Sequence, residues 1–248
     1  KYENYNNYLK YITIISILIL LLAVISTGER SNSIKFIISI IIFFLLFNNI
    51  SIKKKILVIL MFSSISYFFV MNNNYIKVRM YESIRYSAST FIDSFKHGKP
   101  RDNPTGNIYA KLYRSGFEVF KQYPIFGVGN KNYRIEACKN KFYQRGIHIM
   151  VNDYVCETHP HQIYFEFLSE HGLFGTSILL SLFFLIFFRS IKKIILERNY
   201  IGIGCFSYLI INFMPLLPSG AFFSDYNISL FFINLSIMFA TSKKLNIF

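Results

Sequence analysis

Residues 8–50 read YLKYITIISILILLLAVISTGERSNSIKFIISIIIFFLLFNNI. Two apolar runs, Tyr8–Ile25 and Ile34–Ile50, are parted by a short polar turn that carries Gly28, Glu29 and Arg30. Each run approaches the roughly 17–25 residues needed to cross a hydrocarbon core of about 30 Å. Lipid offers no partner to an unpaired backbone group, so runs this long and continuous have to be helices. The same pattern returns at 56–71, 173–188, 201–217 and 222–240. The predicted fold is therefore all-α: a polytopic membrane helix bundle with about six transmembrane helices, forming a single membrane domain over 1–248. A large helical external loop, about 72–165, separates the third block from the fourth.

Composition agrees. The chain is 53% hydrophobic with only 16% charged residues and a mean hydropathy of +0.36, whereas about a quarter of a soluble domain is charged. A net charge of +14 would suit nucleic acid if it lay on one face. Here Lys and Arg sit in short runs between apolar blocks, so the expected partner is a lipid bilayer and not nucleic acid. Lys53–Lys55, then Lys192, Lys193 and Arg198, then Lys243 and Lys244 all fall on one side if the blocks alternate. The positive-inside rule makes that side cytoplasmic, together with the N-terminus. The sequence starts KYENYNNYLK, with no Met and no cleavable signal pattern. The first block therefore reads as a retained span, and the chain as a piece with spans removed upstream.

The other side receives the TGERSN turn (27–32), the long loop and the PLLPSG turn (215–220). Within the loop, Ile84, Ala88, Phe91, Ile92 and Phe95 recur at helical spacing, as do Ile108, Leu112, Val119, Phe120 and Tyr123. A third, weaker helix is expected over Tyr133–Phe142. GKPRDNPTGN and PIFGVGN, rich in Gly, Pro and Asn, read as turns between them.

Two readings meet at each motif. Arg30 is either an interfacial arginine snorkelling to headgroups or an anion site, since guanidinium grips diphosphate oxygens in bidentate fashion. Arg114 is either the solvated face of its helix or a second such cation. An oxidising compartment permits a disulfide between Cys138 and Cys156, and the sequence does not settle it. His148 and His171 read as polar residues at an interface. His159 and His161 make a poor metal site, because alternate residues point apart in an extended segment. They flank Pro160 at the doorstep of a helix starting at Gln162, where an imidazole with a pKa of about 6.5 suits proton abstraction.

In order, TGERSN, then YRSGFEVFKQYPIFGVGN (113–130), then THPHQIYFEFLSEHGLFG (158–175) resemble the O-antigen ligase and O-antigen polymerase superfamily. The resemblance covers roughly residues 20 to 190. Gln162 stands where the family usually has Asn, Phe165 where Leu is common, and Tyr113 where Trp is frequent. Full members have around ten to twelve spans, so the chain looks like the C-terminal part of one. The resemblance implies a metal-independent, cofactor-free, inverting transferase in the bacterial inner membrane, multi-pass, with the large loop facing the periplasm. Its donor would be a polyprenyl-diphosphate glycan, and its acceptor a hydroxyl on a glycan, lipid A-core or protein. It implies Arg30 and Arg114 as substrate-binding groups and His161, with His159, as catalytic ones. The alternative is a non-catalytic transporter or lipid-binding protein with charges lining a path through the bundle. Asp225 is the main charge that the spans offer it.

Overall fold

A computed structural model describes residues 2–47, 51–82, 85, 108–139, 156–197, 199–215 and 217–242. Among these residues the structure is helical, with no strand. It falls into two compact units, 1–102 and 103–248, and each is described by itself.

In the first unit α1 (Tyr2–Ser26), α2 (Arg30–Leu46) and α3 (Ile52–Asn72) are followed by the short α4 (Asn74–Lys77) and a π-helical turn, Val78–Glu82. Leu21, Ile25, Phe62, Ile76 and Met80 form its core. Around that core Ile19, Leu57, Leu60 and Phe68 stay exposed, the outward apolar coat that a lipid-facing bundle carries. The α1–α2 turn is tight because Gly28 adopts φ 70°, which a Cβ disfavours. Its N–H donates to the Ile25 carbonyl at 3.0 Å, closing the end of α1. Arg30 opens α2 and is half-buried.

The second unit contains α5 (Ile108–Gln122), α6 (Tyr133–Ala137), α7 (Ile163–Leu196), α8 (Tyr200–Ile211) and α9 (Asp225–Thr241). Its apolar centre is a cluster of rings. Phe183, Phe213, Phe222 and Phe231 pack edge-on or tilted at centroid distances of 5.1–6.3 Å, the geometry that aromatic quadrupoles favour.

Each of the six apolar blocks is helical over most of its described length. Two helices, α3 and α7, are long and apolar enough to cross a membrane. The block at 201–217 does not run on as one helix. It stops at Ile211, because Pro215 removes an N–H and forces the residue before it out of helical geometry. At 222–240 the helix starts later, at Asp225, where the Ser224 hydroxyl accepts the Asn227 N–H at 3.3 Å. At 173–188 it starts earlier, at Ile163, and carries a break at Gly172. The helix expected over Ile84–Phe95 lies outside the described residues apart from Arg85, and so does His148.

Candidate functional site

The second unit is organised around the break in α7. Gly172 has φ 62° and ψ −169°, a region that only glycine occupies readily. A helix interrupted there leaves carbonyls on one side and N–H groups on the other without intrahelical partners. The PIFGVG loop supplies them. Val128 and Gly129 donate to the carbonyls of Ser169 and Glu170 at 3.0 and 2.8 Å. Leu173 and Phe174 donate to those of Pro124 and Ile125 at 2.8 and 3.1 Å. Loop and helix are spliced main chain to main chain. A Cβ on Gly127 would run into the Glu170 carbonyl, and one on Gly172 into that of Ile125.

The splice fixes α5, which leads into the loop. Helix α5 then meets the THPH turn through Gly116, where an added Cβ would lie 2.8 Å from the Pro160 Cβ and 3.0 Å from the Phe165 Cβ. Beside this contact Tyr113 stacks on Phe165 at 5.5 Å, and Tyr109 meets the His161 ring edge-on at 6.1 Å. Behind α5 the buried Tyr133 hydroxyl donates to Ser115 Oγ at 2.8 Å. Cys138 and Cys156 are joined in a disulfide, with Cα atoms 4.5 Å apart. The bond ties the end of α6 to the strand of chain that enters the turn.

Within the turn, the expectation that His159 and His161 point apart is corrected. Their rings lie 4.0 Å from each other. The reason is local: His161 sits at φ 55°, a left-handed conformation, so the segment is not extended. That conformation costs a non-glycine residue roughly 1–2 kcal/mol, and it is held from three sides. Ser219 N–H donates to the His161 carbonyl at 2.8 Å. Pro160 is buried against Gly116. The Gln162 side chain caps α7 by accepting from Tyr164 and Phe165 N–H at 2.7 and 3.1 Å. Gln therefore does the capping that Asn does well at such a position.

The two imidazoles differ. Burial pushes His159 down to about 4, the neighbouring His161 ring adds to this, and the Ser219 main chain partly opposes it. Burial also lowers His161, but Glu157 works in the other direction. His159 Nε2 and Ser219 Oγ are both buried with no hydrogen-bond partner among the described residues, which is unusual for interior polar atoms.

Arg114 lies on the exposed side of α5, about 200° of helical rotation from Gly116 at roughly 100° per residue. Arg30 belongs to the first unit. A cavity of about 410 Å³ opens there, lined by Ser33, Ile34 and Ile37 of α2, Tyr67 and Val70 of α3, and Arg85. Arg30 shares its helix face with Ser33, Ile34 and Ile37, at offsets of three, four and seven residues. His171 is half-buried, its ring packed on Phe223 at 5.0 Å.

Two acids were missed in the sequence. Glu166 and Glu170 are 2% and 3% exposed. The Glu166 carboxylate accepts Phe222 N–H at 2.9 Å and Phe223 N–H at 3.4 Å. The Glu170 carboxylate lies on the N–H groups of Lys131 and Tyr133 at the start of α6. Their signal was there to find: two acids four residues apart on one face of an otherwise apolar helix.

The chain is thus an apolar helical protein whose polar segments carry a histidine pair held in a fixed turn. The sequence pattern of the O-antigen ligase family matches residues 15–180, and the chain belongs to that family. It is thus a membrane glycan-transferring enzyme of ligase or polymerase type, in the biosynthesis of surface polysaccharide. The family works with lipid-linked glycan donors and polysaccharide or lipid acceptors. No individually curated protein matches the chain.

Proposed function

We propose that the chain transfers a glycan from a polyprenyl-diphosphate donor to an acceptor hydroxyl on a glycan, lipid A-core or protein, in one inverting step. The reaction takes place at the outer face of a bacterial inner membrane, with the chain multi-pass and the 72–165 loop outside. The observation that carries this reading is the THPH turn, a strained left-handed histidine held by main chain from a distant loop. Strain of that kind persists where the surroundings over-determine it, and it clusters at functional sites.

The chemistry follows from the groups. His161 takes the acceptor proton as the hydroxyl oxygen bonds to the anomeric carbon. The bond from that carbon to the diphosphate oxygen breaks, and its electron pair leaves with the lipid diphosphate. The negative charge developing there needs cationic partners, the role proposed for Arg30 and Arg114, guanidiniums in the part that a divalent cation plays in many nucleotide-sugar transferases. His159, held near 4, is too weak a base for neutral pH, and its unpartnered Nε2 suits holding a hydroxyl instead. The cavity of the first unit, apolar along its walls with Arg85 in its lining, has the character a prenyl chain and its phosphate require.

Arg30→Ala and Arg114→Ala are each expected to lower kcat about 10²–10³-fold, the scale for losing one donor that stabilises a developing charge. Transfer rates of purified, normally inserted variants on a lipid-linked donor check this. Full transfer by both, or a product that retains the anomeric configuration, would overturn the single-step mechanism. Transport without transfer would favour the non-catalytic alternative.

The active form of His161 is the neutral one. Because burial lowers its pKa, the acid limb of kcat/KM should fall below pH 6.5. Glu157 opposes that shift, so Glu157→Gln should move the limb further to the acid side. A limb that moves towards neutral pH would contradict the assignment.

A further inference from the structure

The segment from Ser219 to Phe223 joins α8 to α9, far in sequence from the histidines, yet it holds the His161 carbonyl through the Ser219 N–H. Two side chains anchor the segment itself by polar contacts: the Asn227 amide donates to the Ala221 carbonyl at 2.8 Å, and Glu166 accepts from its N–H groups. Around them Phe222 and Phe223 pack on the Phe167 ring at 5.2 and 5.6 Å, contacts without strong direction. Glu166 takes two successive N–H groups of its backbone, one on each carboxylate oxygen. A buried carboxylate is costly to desolvate, and an apolar side chain would fill the same space at lower cost. An amide has one acceptor oxygen and would set its NH₂ against the second N–H. Only an acid satisfies both.

We infer that Glu166 is a positioning residue for His161: it clamps the 219–223 segment, which in turn keeps His161 in its left-handed turn. The inference rests on the base role proposed for His161. Glu166 stands at the end of a four-part chain, carboxylate to Phe222 and Phe223 N–H, along the backbone to Ser219, and from Ser219 N–H to the His161 carbonyl. It touches no substrate in this arrangement and acts only through the geometry of the turn.

The test is a kinetic cycle on the full chain with a lipid-linked donor, comparing wild type, Glu166→Ala, His161→Ala and the double variant. Losing a charged hydrogen-bond acceptor costs enough to predict at least about a tenfold drop in kcat for Glu166→Ala, with donor KM unchanged. The double variant should be no slower than His161→Ala alone, because the clamp has nothing left to position. If Glu166→Ala does not insert, the isosteric Glu166→Gln carries the same cycle, with a smaller drop of about threefold or more for its single remaining acceptor. A kcat equal to wild type, a loss that adds in full to that of His161→Ala, or a change confined to donor KM overturns the inference. If His161→Ala itself transfers normally, the base role fails first, and a slow Glu166 variant then reports on the fold alone.

Discussion

His161→Ala is expected to lower glycan transfer by about 10²–10⁴-fold, the span that a positioned general base contributes, with little effect on donor affinity. The reasoning starts from the turn. Its left-handed backbone, the Ser219 bond to its carbonyl and the Gly116–Pro160 contact together hold the ring beside His159 and Tyr109. Alanine takes the same backbone somewhat less readily than histidine, but the bonds that hold the turn come from its main chain and its neighbours, so the fold should survive and the chemistry should not. His159→Ala should cost less, since its imidazole is pushed down to about 4 and gives little basicity at pH 7. Initial rates for the two variants, at saturating and limiting donor, decide between them. A His159→Ala variant slower than His161→Ala would exchange their roles.

Gly172→Ala should be the most damaging single-atom change in the second unit. Its φ of 62° with ψ −169° belongs to a region that costs a residue with a Cβ about 1–3 kcal/mol. The new carbon would also strike the Ile125 carbonyl, which is main chain and cannot swing away like a side chain. Relief requires parting the splice, and its four main-chain bonds are worth about 0.5–1.5 kcal/mol each. A loss above about 4 kcal/mol is therefore expected, which is exceptional for a point substitution. Thermal unfolding in detergent measures it. Gly204→Ala serves as the contrast, because the new carbon there would meet nothing within 4 Å. Equal stability of the two variants would show that the break is not rigid.

Much of this was legible in the sequence because it is local. Apolar blocks name helices wherever the chain is continuous, and the three motif segments carry their order with them. The histidine pair stood out because Pro160 and the Gln162 cap are neighbours in sequence. What stayed hidden depends on partners far along the chain. The left-handed backbone at His161 needs Ser219, 58 residues on. Glu166 looks like a stray charge until Phe222 and Phe223 are brought to it. Gly172 reads as a hand-over into a span, while its broken backbone answers to a loop that periodicity cannot see. The end of α8 at Ile211 was misjudged because hydropathy counts Met214 and Leu217 as span and takes no account of Pro215.

The splice also sets an order of events. Its four bonds join residues 41 to 49 positions apart, so no part of it can form while only α5 and its loop have been made. Closing a segment of that length costs entropy that local helix formation does not, and pairings of this range form late. Until the chain beyond Gly172 arrives, PIFGVG is a stretch of main chain with its partners still to come. The arginine-bearing helix therefore takes its final place only when the next apolar helix has been laid down, and assembly of the site waits on synthesis of α7.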